Sequence, residues 1–225
     1  GRGAVHCVAF SHSGDEVVGA CASGLAIVWG VAVGLRRLVL AGHNRHIYSC
    51  AWAPKDHWIV TASGDFTARI WSSAKGECLG LLDGHRRVVR TAAFAPDGNS
   101  IATGSLDGTA KLWSAESGEC VQDIRQCGGD VFSLGFSPDS QRLATGSSDQ
   151  VARIWNALTG ELLLSVTGHR DTIRSIAFSL DGRGLLTASS DGTAIVWDAD
   201  SGDRCLTIAG HSDKVTAAVF AAQCL

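Results

Sequence analysis

The sequence predicts an all-β chain built from repeated four-stranded antiparallel units, and three observations predict it. Tryptophan falls at 29, 71, 113, 155 and 197, each step being 42 residues. Histidine keeps that step at 43, 85, 169 and 211, with Cys127 in the register between, and glycine keeps it at 34, 76, 118, 160 and 202. Inside each period, short runs of alternating hydrophobicity are separated by turn residues, which is the pattern of half-buried strands. A period of this length marks a stack of small units, none of which can bury its two faces alone.

The third unit shows how each element is read. "VRTAAF" (89–94) is a first strand, and "PDG" (96–98) turns the chain into "SIATGS" (100–105). "LDG" (106–108) turns into "TAKLWS" (109–114), and "ESGE" (116–119) turns into "CVQDI" (120–124). Gly and Asp stand where turns need them. The same reading divides the chain into five complete units, 1–42, 43–84, 85–126, 127–168 and 169–210, and the first strand of a sixth within 211–225.

The Gly-His pair, the four strands, the "xDGT" turn and the Trp closing the third strand resemble the WD-repeat family of β-propellers, over essentially the whole chain. The naming dipeptide is intact only at Trp197-Asp198; elsewhere Trp is followed by Gly30, Ser72, Ser114 or Asn156. The resemblance implies that each unit is a blade, its first strand lining a central channel and its fourth strand outermost. It also implies a hydrogen-bonded tetrad in three units: His43, Thr61, Asp65, Trp71; His85, Thr103, Asp107, Trp113; and His169, Thr187, Asp191, Trp197. In each, Asp orients His, His meets the hydroxyl, and the hydroxyl meets the indole N–H. That order mimics a hydrolase triad, but a set repeated in three units and shielded by Trp reads as architecture.

Two units depart from the pattern. The first has Gly19 and Ser23 where Thr and Asp belong and Gly1 at the histidine register; the fourth keeps Thr145, Asp149 and Trp155 but has Cys127 for His. These blades should be the softer ones. Rings of the family are usually closed by pairing the chain ends within one blade, and seven blades are commonest. A chain that opens before one first strand, stops after another and lacks methionine is expected to form an incomplete ring with exposed edges.

Composition narrows the function. The chain is 45% hydrophobic and 18% charged with a formal net charge of -3, a globular balance without the basic surplus of a dedicated nucleic-acid binder. No apolar run is long enough to span a bilayer. Cysteines at 7, 21, 50, 78, 120, 127, 205 and 224 include no C-x-x-C pair, so no metal is expected and the thiols should be free, in a reducing compartment. That points to the cytoplasm, with the nucleus also open.

The first strands sort by register. The fourth residue after each histidine position is Val5, Ile47, Val89, Val131, Ile173 and Val215, β-branched for packing between blades. The ninth is Phe10, Trp52, Phe94, Phe136, Phe178 and Phe220, expected in the core; the eighth, mostly Ala or Gly, is expected to line the channel wall. The third and fifth share the opposite side of the strand and ring the channel mouth by the resemblance, with the residue preceding each tetrad Asp. From these come the candidate partner-binding residues His46, Tyr48, Arg90, Leu106, Asp130, Phe132, Arg174 and Lys214. Aromatic and arginine side chains dominate binding hot spots. The expected function is a non-catalytic scaffold holding a peptide or loop of another protein on this rim, with no cofactor. Two alternatives stand beside it. "NALTGELL" (156–163) echoes the propellers of quinone-cofactor dehydrogenases, although Trp here precedes that turn, and a basic rim could bind nucleic acid, against which Asp130 weighs.

Overall fold

The computed structural model describes residues 3–125 and 127–221; Gly1 and Cys224, counted above, lie outside the described residues. Five antiparallel sheets each take four consecutive strands. The first is β1 (Val5–Phe10), β2 (Glu16–Cys21), β3 (Leu25–Gly30) and β4 (Arg36–Ala41). The second is β5 (Ile47–Trp52), β6 (Trp58–Ser63), β7 (Ala68–Ser72) and β8 (Cys78–Leu82), and the third β9 (Val89–Phe94), β10 (Ser100–Ser105), β11 (Ala110–Ser114) and β12 (Cys120–Ile124). The fourth is β13 (Val131–Phe136), β14 (Arg142–Ser147), β15 (Val151–Asn156) and β16 (Leu162–Thr167). The fifth is β17 (Ile173–Phe178), β18 (Gly184–Ser189), β19 (Ala194–Asp198) and β20 (Arg204–Ile208).

The hairpins follow from turn chemistry. In the third sheet Gly98 and Gly108 take φ of +77° and +80°, a left-handed backbone that costs glycine nothing. Their N–H groups close the turns onto the carbonyls of Ala95 and Ser105.

Hydrophobic cores lie between sheets, not within them. One contains Val18, Ala20, Ala26, Val28 and Leu40 of the first sheet with Ile47, Cys50, Trp52, Ile59 and Trp71 of the second. The next joins Val60, Ile70 and Leu82 to Val89, Phe94, Ile101 and Trp113. Each sheet is therefore stabilised by its neighbours' side chains, the energetics of a repeat stack. First strands stand side by side in chain order, each also packed on the second strand of the sheet before it. The fit is close: a Cβ on Gly104 of β10 would stand 2.6 Å from Val131 Cγ1 of β13.

Two irregularities recur in all five sheets, one beside the closing Trp where the third strand pairs with the fourth, the other on the first strand. Where a first strand pairs with its second, the register slips by one residue, between Val5 and Cys7, Ile47 and Ser49, Val89 and Thr91, Val131 and Ser133, and Ile173 and Ser175. The residues bypassed are His6, Tyr48, Arg90, Phe132 and Arg174. Each is the extra residue of a β-bulge, released from the ladder and re-aimed.

Two expectations need correction at the edges. Val5 and Phe10 share registers with buried residues, yet they are 53% and 63% exposed. No described sheet covers the outer side of β1, and β1 and β17 are not packed together among the described residues, so the arc is open. The second concerns the expected first strand of a sixth unit, because residues 211–221 contain no strand. A strand needs a ladder, and no described strand follows β20 to supply one. The segment nevertheless occupies a first strand's place. Ser175 Oγ donates to Ala218 O and accepts from Ala218 N–H, as Ser49 does with Ala92 three arc steps earlier. Val215, Ala218 and Phe220 pack on Leu186, Ala188 and Ala194.

Candidate partner-binding rim

The rim begins with the groups that hold its loops. His43 Nδ1 lies 2.8 Å from Asp65 Oδ2 and its Nε2 2.8 Å from Thr61 Oγ1, while Trp71 Nε1 donates to that hydroxyl at 2.8 Å. His85 meets Asp107 at 3.0 Å and Thr103 at 2.8 Å, with Trp113 donating at 2.8 Å. His169 meets Asp191 at 2.9 Å and Thr187 at 2.8 Å, with Trp197 again at 2.8 Å. The carboxylate can only accept, so Nδ1 carries the imidazole proton; Nε2 of the neutral ring then accepts from the threonine hydroxyl, whose oxygen takes the indole N–H.

The charges agree with that proton order. Burial pulls the His43 pKa below the ordinary imidazole value, against the opposing pull of Asp65. Burial alone would raise Asp107, but hydrogen bonds from His85, Thr109 and the Arg86 N–H outweigh it and hold the carboxyl far below its ordinary range. Asp65 is lowered likewise, and Asp191 is held down to about 2. Thr61, Thr103 and Thr187 are fully buried, so no substrate can reach the hydroxyls. What the carboxylates do reach is the loop ahead: Asp65, Asp107 and Asp191 accept from the backbone N–H of Asn44, Arg86 and Arg170. Each fixes the approach to a first strand, and hence the rim.

The two departing sheets solve the same problem differently. In the fourth, Arg153 bonds Asp149 Oδ2 at 2.6 Å and Cys127 O at 2.7 Å, so a guanidinium stands in for the missing imidazole. Trp155 still donates to Thr145 at 2.9 Å, and burial pushes the Cys127 thiol up to about 11. In the first sheet, a Cβ on Gly19 would meet the Trp29 ring at 2.9 Å; the indole itself fills the vacated space.

At the mouth, bulged residues of neighbouring sheets meet. His6 lies 5.2 Å from the Tyr48 ring, and His46 lies 5.8 Å from His6 and 6.0 Å from Tyr48. The Arg90 guanidinium lies over Tyr48 at 4.8 Å, and that of Arg174 over Phe132 at 4.5 Å. Arg174 Nε donates to Ser190 Oγ at 2.8 Å. Such cation–π contacts contribute about 0.5–2 kcal/mol each, the larger figure when desolvated. Asp130 and Leu106 belong to a second group, joined by Arg87, which pairs with Asp130 at 3.2 Å and bonds the Leu106 carbonyl. Lys214 is exposed, joins neither group, and gives its backbone N–H to Asp213. A shallow cavity of about 320 Å³ opens beside Tyr48, between Arg45, His46, Gly64 and Val88.

Sequence reasoning did not single out Arg87, Ser190 or Arg153. Arg87 and Asp130 come from consecutive units, so spacing within one unit gives no sign of their pairing. Arg153 shares a register with Arg69 and Lys111, and only the loss of histidine at Cys127 hints that its role differs.

The family model described as "WD domain, G-beta repeat" matches residues 34–72, 76–114, 118–156 and 160–198. The chain belongs to the WD-repeat family. Each match runs from the approach to one outer strand, through the loop, to the third strand of the next blade. The sequence repeat thus straddles two blades, and three of the four matches include the histidine, threonine, aspartate and tryptophan of one tetrad, the match over 118–156 having Cys127 for the histidine. No curated protein matches the chain. WD repeats are generally protein-interaction scaffolds, and among the described residues no helix is long and apolar enough to cross a membrane.

Proposed function

We propose that this WD-repeat chain is a non-catalytic scaffold that holds a peptide or loop of another protein across the rim, in a reducing compartment inside the cell. The observation that carries this reading is the row of five bulges, which releases His6, Tyr48, Arg90, Phe132 and Arg174 from the ladder on one side of the arc. None of these residues has a partner in the strand ladder. Aromatic rings and guanidiniums stacked on them are rigid, amphipathic and only half-buried, which suits them to anchor a partner.

The test starts with affinity capture from cell extract, followed by titration of each purified captured protein. Arg90→Ala or Phe132→Ala should weaken binding by at least about 1 kcal/mol, and lower stability by no more than the lost cation–π contact, about 0.5–2 kcal/mol. Glu77→Ala and Glu161→Ala, beside outer strands, should change neither. Binding lost in the outer variants and kept in the rim variants would place the interface on the blade edges instead.

A further inference from the structure

The charge at the mouth specifies the kind of partner, given the rim reading above. The sequence offers both signs there, with Asp130 and Lys214 beside the arginines. The structure removes the acid from that balance, because Asp130 is engaged by Arg87. Arg90 and Arg174 have no carboxylate within ion-pair distance among the described residues; the remaining polar contact of Arg174 is the neutral Ser190 hydroxyl. Each guanidinium spends one face on an aromatic ring, which leaves its in-plane N–H groups for a planar acceptor. Burial weakens the hold of Arg90 on its proton, Tyr48 opposes that effect, and the like charge of Arg174 adds to it. The two cations therefore share a field that an anion would relieve.

We infer that the mouth takes an acidic peptide segment, with Asp or Glu carboxylates received by Arg90 and Arg174 and neighbouring apolar side chains lying on Tyr48 and Phe132. A carboxylate matches the guanidinium edge in a bidentate pair. A long polyanion would be disfavoured, since Asp171 and Asp213 are exposed on the loops leading to the same rim.

A randomised dodecapeptide display library selected on the immobilised chain tests this. Recovered sequences should be enriched in Asp and Glu, and a synthetic copy of one should bind about tenfold more weakly to the Arg90→Gln/Arg174→Gln variant. Replacing Glu by Gln in that peptide should cost the same on the unaltered protein, a comparison that no folding defect can imitate. Added salt should weaken the acidic peptide and leave the Gln version unaffected. Neutral or basic sequences that still require Phe132 would overturn the acidic assignment while keeping the rim as the binding face. Sequences held equally by Phe132→Ala and the double arginine variant, or no enrichment at all, would overturn both. A phosphoserine peptide that binds where its glutamate counterpart does not would reassign the site to phosphate.

Discussion

Asp107 serves two ends with one carboxylate, orienting His85 and holding the backbone N–H of Arg86 at the approach to β9. Its side chain is 8% exposed and that of His85 fully buried. Asp107→Ala should therefore cost at least about 1.5–3 kcal/mol, the range for a hydrogen bond to a charged group, since it strips that bond from His85 and another from the Arg86 N–H. Ser23→Ala, at the same register in the first blade, removes only an exposed hydroxyl and should cost under about 0.5 kcal/mol. Urea denaturation of both variants decides this, and equal losses would refute the structural role. Arg153 gives a second expectation. Arg153→Met strips a charge-assisted bond from Asp149, worth about 1.5–3 kcal/mol, and should cost more than Arg69→Met, where His43 already holds the aspartate. Cys127→His in the Arg153→Met background should recover part of the loss; no recovery would mean that Arg153 does not replace the imidazole. The tetrads were legible because their residues recur every 42 positions. The substitute in the fourth blade was not, because a guanidinium reaches Asp149 from a different strand and register than histidine would.

Strand order was equally legible, since turn glycines and alternating hydrophobicity mark each hairpin locally. The bulges were not: alternation places the third and fifth residues of a first strand on one side whether or not a residue is bypassed, and only cross-strand pairing reveals the slip. The last first-strand pattern, over 214–220, shows the complementary limit, because its sequence suits a strand but a ladder requires a second chain segment. Close packing at the strand level gives a further expectation. In Gly104→Ala the new methyl would press on Val131 and Thr91, at 2.6 and 2.8 Å, and should destabilise by about 1–3 kcal/mol through overpacking between blades. Gly135→Ala has nothing nearer than 3.4 Å and should be nearly neutral. Denaturant midpoints of the two variants check this, and a neutral Gly104→Ala would mean that adjacent blades can separate at little cost.

The whole molecule should weaken in acid, in a predictable order. His43 has a folded pKa below the ordinary 6.5, so below that pH the unfolded chain takes up the proton more readily and stability falls. Asp65, Asp107 and Asp191 lie below the ordinary carboxylate value of 3.8; their contribution is intact above that pH and is lost as pH falls through their folded values. Melting temperatures followed from pH 8 to pH 3 should be flat, then decline below about 6.5, then drop more steeply below about 4. A rise between pH 7 and pH 5 would contradict the proton order assigned to the tetrads. The bulges carry a different consequence at this scale. One residue before each bulge the strands carry Val5, Ile47, Val89, Val131 and Ile173, an almost uniform set, whereas the bulged positions carry imidazole, phenol, guanidinium, phenyl and guanidinium. A residue without a cross-strand partner can be exchanged at no cost in register. On the proposed reading of the rim, the chain writes its shape and its address in adjacent letters, and the five address letters could be respelled for a new partner without editing the register that folds.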